Sequence, residues 1–266
     1  MRAIARVLIN TPEIEVWPGG LLRARSNHDA RILARARALL RRKRDGRFLA
    51  AEVPEGLMPL VPQLRREPGL DAALDALESH PAHLRPGIER VGALPLARLQ
   101  ERLHALGLDD AYGERTGLPL VAEPDWLAFA GFDRFHRPLW LHVDAARAWS
   151  HLREAASRDD VALEAISGYR SHAYQLGIFE RKLARGLSVE EILTVNAAPG
   201  YSEHHSGLAL DIGTHDEPPA EETFERTRAF TWLQENAGGH GFVMSYPRDN
   251  PHGIVYEPWH WCWHGG

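Results

Sequence analysis

Between Gly200 and Gly213 the chain reads GYSEHHSGLALDIG, and this segment constrains the fold more than any other. Side chains alternate along a strand, so LALDI places Leu208, Leu210 and Ile212 on one face and Ala209 with Asp211 on the other. The first face belongs in a core. The second sets a carboxylate beside a small residue, leaving room for something to approach. Ser206-Gly207 predicts a turn ahead of the strand. That turn is needed, because seven fully extended residues span roughly 23 Å and would hold His204 away from Asp211.

Adjacent residues of an extended segment point opposite ways. At most one of His204 and His205 is therefore expected to share a metal site with Asp211, and spacing does not choose between them. A third ligand should be another histidine or carboxylate, and EPWHW (257–261) offers both. A catalytic zinc takes three protein ligands and leaves a position for water, whose pKa it lowers to about 7. A nearby carboxylate then takes the water's proton. Strict alternation would put Glu257 and His260 on opposite faces, and Pro258 relieves this by starting a strand or a bulge. Cys262 and His264 share a face with His260, so a His-Cys-His set is a rival that leaves Asp211 out.

The rest of the chain frames this stretch. Its 266 residues are 44% hydrophobic and 25% charged, long enough for one large core or two small domains. A net charge of −5 supplies no global basic field for nucleic acid or membrane. The single cysteine, Cys262, forms no internal disulfide. No apolar run approaches the roughly 20 residues of a membrane helix. The first residues show no signal-like apolar core, so the expectation is a cytoplasmic chain, one exported by another route, or one whose true start lies elsewhere. ARILARARALLRRKR (30–44) predicts a helix with Leu33, Ala36 and Leu40 on one stripe and a solvated arginine face. LDAALDAL and PLARLQERLHAL add helical patterns, so residues 1–118 are expected to be a small, mostly helical region.

From residue 119 the texture changes. WLAFAGFDRFHRPLWLH (126–142) predicts a hairpin, with a helix capped by Asp144 after it. VALEAIS predicts a strand that GYRS delivers to a helix capped by Ser171. Ser188 and Glu191 form a capping box. A helix over 221–236, the strand FVMSY and the closing VYEPWHWCWH complete the chain. Strands and helices do not alternate regularly, so the fold class is α+β, an antiparallel sheet flanked by helices over residues 119–266. Trp259, Trp261 and Trp263 are expected in the core or a cleft wall.

Ser202-x-His204-x-x-Gly207-x-Ala209-x-Asp211, followed by Glu257-x-x-His260-Trp261 and preceded by SGYRS (167–171), resembles the VanY-type D-alanyl-D-alanine carboxypeptidases, zinc peptidases of bacterial cell-wall peptides. The resemblance covers roughly the last 140 residues, and three separated motifs in order make it specific. It implies one Zn2+ per chain held by His204, Asp211 and His260, with Glu257 as general base and no metal role for His205. Arg170 would hold the substrate carboxylate or a developing oxyanion, while Gln175 and Ser202 would line the cleft. The implied substrate is a peptidoglycan stem peptide that loses its terminal D-alanine. Relatives of this kind usually act in the periplasm or cell wall. L,D-carboxypeptidases, D,D-dipeptidases and stem endopeptidases share the apparatus, and a zinc or peptide binder without turnover is the non-enzymatic alternative. A pure binder has no need of Glu257.

Overall fold

The structure, a computed structural model, describes residues 6–79, 91–108 and 111–265. Among these the strands form two antiparallel sheets. The first is built from β1 (Val7–Asn10), β2 (Ile14–Pro18), β3 (Ala38–Arg42), β4 (Phe48–Val53) and β5 (Gly56–Pro59), with helix α1 (Asn27–Leu33) between β2 and β3. Helices α2 (Leu70–Ser79), α3 (Ala97–Ala105) and α4 (Ala111–Thr116) follow. The hairpin β6 (Trp126–Phe132) and β7 (Pro138–Leu141) then completes this sheet in the order β5-β4-β3-β2-β1-β6-β7. Helix α5 (Val143–Arg158), β8 (Glu164–Ser167), α6 (His172–Leu183), α7 (Val189–Leu193), β9 (Ala209–Gly213), α8 (Arg228–Asn236), β10 (Phe242–Met244) and β11 (His260–Trp263) make up the rest. Their strands form a second sheet, ordered β10-β11-β9-β8.

The antiparallel α+β architecture follows the expectation, whereas the mainly helical N-terminal region does not. Five strands occupy residues 7–59, and the helix expected over 30–44 ends at Leu33. Ala38, Leu39 and Leu40 instead form the buried start of β3, with apolar clusters on both sides of the sheet. A strand covered on both faces reads as a continuous apolar run, which periodicity does not separate from a helix. The sheet also crosses the expected boundary at 118 and 119, because β1 pairs with β6 from Val7↔Ala128 to Ile9↔Trp126. The helical patterns at 70–77 and 95–106 are α2 and α3.

The second sheet packs α5 and α8 against one face. Trp149, Leu152, Leu210, Ile212, Phe230 and Leu233 are buried there, each such side chain contributing about 1.5–3 kcal/mol. His142 caps α5 in place of the expected Asp144, accepting from the Asp144 amide at 3.4 Å. The other caps fall where expected, with Ser171 on α6 and the Ser188–Glu191 box on α7. The two sheets meet at Gly168. A Cβ at that position would come within 3.0 Å of Leu139, Leu141 and the Trp140 carbonyl, so only glycine allows the approach.

Candidate metal centre and cleft

Asp211 lies on β9, flanked by β11 and β8. In register it faces His260 on one side and Ser167 on the other. The register shifts between Ala165 and Ser167, and the chain runs on from the end of β8 into Gly168–Ser171. His204 stands on a single 3-10 turn, Glu203–Ser206, which Gly207 closes at φ 71°. This tight turn, in place of an extended segment, brings His204 back to the strand. His204 and His205 still diverge, as expected, because one residue of 3-10 helix rotates the side chain by about 120°.

The partners of each imidazole decide which nitrogen is free. His204 Nδ1–H donates to the Gly168 carbonyl at 2.8 Å, leaving Nε2 at 3.3 Å from Asp211 Oδ1. His260 Nε2–H donates to Glu203 Oε2 at 2.8 Å, leaving Nδ1 at 3.2 Å from the same Asp211 oxygen. Two nitrogen lone pairs and a carboxylate oxygen thus converge, all within 4.8 Å of one another. Ligand bonds of about 2.0–2.1 Å at the tetrahedral angle separate donor atoms by about 3.3 Å, so the spacing suits a small tetrahedral ion. His205 is spent elsewhere. Its Nδ1–H donates to the Arg170 carbonyl at 2.6 Å and its Nε2 accepts the Gly200 amide at 3.0 Å.

The electrostatics call for a cation at the same point. His204, Asp211 and His260 are all buried. Burial would lower the pKa of His260, but the carboxylates of Asp211 and Glu203 outweigh it and push the imidazole up to about 10. Burial would likewise raise Asp211, yet the two histidines hold it well below the usual carboxylate range. An ion paired to this carboxylate satisfies the charge that protonation of His260 otherwise supplies.

Beside the three groups opens a cavity of about 220 Å³, lined by Arg170, Gln175, Ser202, Tyr246, Glu257 and Trp259 among others. Glu257 precedes β11 in a turn whose His260 amide donates to the Glu257 carbonyl at 3.1 Å. The turn places both side chains on one side, with Glu257 Oε2 3.8 Å from His260 Nδ1, which resolves the alternation conflict at Pro258. Burial raises the Glu257 carboxyl to about 7. Arg170 Nη1 donates to Gln175 Oε1 at 3.0 Å, and Gln175 is itself held by the Ala197 carbonyl. Ser202 is buried against the cavity and makes no capping bond. All seven singled-out residues are therefore in one place. Trp261 is buried in the core, while Trp259 lines the cavity.

Two contributors were missed. Glu203 fixes the tautomer of His260, and its sole signal was its place between Ser202 and His204. Tyr246 lies against the His260 ring, with centroids 4.8 Å apart, and nothing in its own segment marks it. The rival His-Cys-His set does not form. His260 groups with His204 and Asp211, whereas Cys262 and His264 group with Glu203.

Residues 138–266 match the family described as VanY, D-alanyl-D-alanine carboxypeptidase. The protein YodJ of Bacillus subtilis is 31% identical over 181 residues, covering 65% of this chain and 64% of that protein. A D-alanyl-D-alanine carboxypeptidase of Enterococcus faecium is 32% identical over 133 residues, 49% of this chain and 39% of its own length. The bifunctional D-Ala-D-Ala dipeptidase and carboxypeptidase VanXYC of Enterococcus gallinarum is 31% identical over 150 residues, 54% of this chain and 76% of that one. The chain thus spans less than two thirds of the first two relatives. Among solved structures, a vancomycin-resistance D,D-pentapeptidase VanY in complex with Zn(II) aligns at 31% identity with a TM-score of 0.41, over 48% of this chain and 74% of that chain. On the residues matched and the relatives found, the chain belongs to the VanY family of D-alanyl-D-alanine carboxypeptidases.

Proposed function

We propose that the chain is a zinc-dependent carboxypeptidase that removes the terminal D-alanine from peptidoglycan stem peptides, with His204 Nε2, Asp211 Oδ1 and His260 Nδ1 holding the ion. The observation that carries this reading is the convergence of those three donor atoms beside Glu257 and Arg170 in one cavity. Two imidazoles and one carboxylate are a donor set suited to zinc. When bound, zinc polarises the scissile carbonyl and makes water a nucleophile near neutral pH.

The chain's own groups do the rest. Glu257 takes the water's proton on its carboxylate and passes it to the departing amine, a task suited to a carboxyl raised to about 7. Arg170 presents a planar guanidinium that pairs with the substrate's terminal carboxylate, and Gln175 keeps it aimed. Ser202 offers a hydroxyl on the same wall. The free terminus makes the enzyme an exopeptidase.

Digestion of a purified stem pentapeptide and of its C-terminal amide, followed by mass spectrometry, tests the reading. Release of one D-alanine from the acid, with kcat/KM about 100-fold lower for the amide, is expected, since an amide leaves the charged donors without their partner. Equal cleavage of both forms overturns the exopeptidase claim, and loss of two residues together identifies a dipeptidase.

A further inference from the structure

A second set of buried ionisable side chains lies beside the seven-stranded sheet, on a separate cavity of about 540 Å³. Lys43, one residue beyond β3, is 1% exposed and Glu123 is 3% exposed. Lys43 Nζ donates to Glu123 Oε2. The same carboxylate accepts from Asn10 Nδ2 at 3.2 Å, from the Tyr169 hydroxyl at 2.7 Å and from the His172 amide at 2.6 Å. Burial alone would raise this carboxyl. Lys43 and His172 outweigh burial and hold it at about 2.

Two of the four donors belong to the segment that carries Arg170. Tyr169 precedes it and His172 follows two residues later. The other side of that segment is held by the His204 turn. The Arg170 amide donates to the His204 carbonyl at 3.1 Å, and the Arg170 carbonyl accepts from His205 Nδ1–H at 2.6 Å. The His172 ring meets the His205 ring edge-on, with centroids 4.4 Å apart. Residues 169–172 are thus clamped between the histidine turn and one carboxylate.

We propose that Glu123, anchored by Lys43 just past β3, is a positioning residue for Arg170, which makes the N-terminal sheet part of the substrate-binding apparatus. This rests on the carboxylate-binding role given to Arg170 above. Neither Lys43 nor Glu123 lines the cavity beside Glu257 and Arg170, so both act through the 169–172 segment. Both also lie outside the residues matched to the family. The physical need is clear. An arginine on a long flexible stem makes its planar, two-point contact with a carboxylate in one geometry, so its base has to be held. A displacement of about 1 Å costs up to roughly 100-fold in such sites.

The test uses the full chain with zinc, comparing wild type, Glu123→Gln and the milder Tyr169→Phe, which loses only a hydroxyl. Three readouts are taken well below the melting temperature: kcat and KM on the acid and amide pentapeptides, zinc content, and the Arg170 Nε–H NMR line, assigned by its loss in Arg170→Lys. Glu123→Gln should raise KM for the acid about 10-fold with kcat changed less than about 3-fold, the pattern of lost ground-state binding. The acid-over-amide preference should fall in step, the Arg170 line should move and zinc should stay. Tyr169→Phe should shift the same quantities by about 3-fold and decides the matter where Glu123→Gln does not fold. Unchanged KM, preference and NMR line in variants that only melt earlier would reduce Glu123 to a structural role and overturn the proposal. A wild type that cleaves acid and amide equally sinks the carboxylate role of Arg170 instead. The NMR line then decides positioning by itself: movement upholds the inference and an unmoved line overturns it.

Discussion

At the four-stranded sheet Asp211 and His260 on neighbouring strands and His204 on the adjoining 3-10 turn are buried, and they bring one potential ligand atom each within 4.8 Å of one another. Beside the seven-stranded sheet Lys43 and Glu123 are buried together, and there the carboxylate accepts from four donors. Both regions place charge in the interior. The difference lies in what is left over. At Glu123 the carboxylate is met by a cation and three further donors, so its charge is answered from within the chain. Around Asp211 each imidazole has one nitrogen satisfied by Gly168 or Glu203 and one turned inward. Burial of charge alone therefore does not identify a site. Unspent, convergent acceptors do.

That contrast breaks most visibly at Glu257. Glu257→Gln should keep near-normal zinc while steady-state turnover falls by several orders of magnitude, since the water loses its proton acceptor. Loss of zinc along with activity would make Glu257 a ligand and enlarge the convergent set. The opposite region should respond in stability. Lys43→Met leaves the Glu123 carboxylate buried without its cation, and chemical denaturation should register a loss of about 3–5 kcal/mol. A loss under about 1 kcal/mol would mean that the remaining donors suffice.

The same pair sets an acid limit. The folded Glu123 carboxyl, at about 2, lies below its ordinary value of 4.5. Its contribution is therefore fully present above about 4.5 and disappears as pH falls through about 2. The shift corresponds to on the order of 3 kcal/mol. Denaturant midpoints measured across that window should fall in wild type and fall less in Lys43→Met, where nothing as strong depresses the carboxyl. Parallel curves for the two proteins would assign the acid loss to other groups. Last and smallest, Glu203→Gln should weaken zinc affinity by about 10- to 100-fold, as for other partners that orient a ligand histidine. Competition with a chelator measures this, and wild-type affinity would leave Glu203 outside the site.

How far the sequence reveals these two regions also differs. The proposed metal centre is legible because its pieces are local: the Ser206-Gly207 turn, the alternation around Asp211 and the Glu257-to-His260 spacing each lie within a few residues. Spacing does not separate His204 from His205; the motif resemblance and the hydrogen-bond partners support the proposal that His204 is the ligand. Glu203 was hidden because its partner lies 57 residues away. The β6–β7 hairpin of the seven-stranded sheet is legible at 126–142, but its five N-terminal strands are not, for a related reason. Ala38-Leu39-Leu40 is buried on both faces, which erases the alternation that marks a strand. Lys43 and Glu123 are 80 residues apart, and nothing near either one announces the other.

The central claim is that one metal ion sits where His204, Asp211 and His260 converge and that His205 takes no part. Zinc content per chain in wild type, His204→Ala and His205→Gln tests it most directly, glutamine being able to donate to the Arg170 carbonyl as His205 does. The account predicts about one zinc in wild type, near none in His204→Ala and about one in His205→Gln, from the three-ligand requirement of a catalytic zinc. Zinc retained by His204→Ala but lost from His205→Gln, or a wild type that binds none, would contradict it.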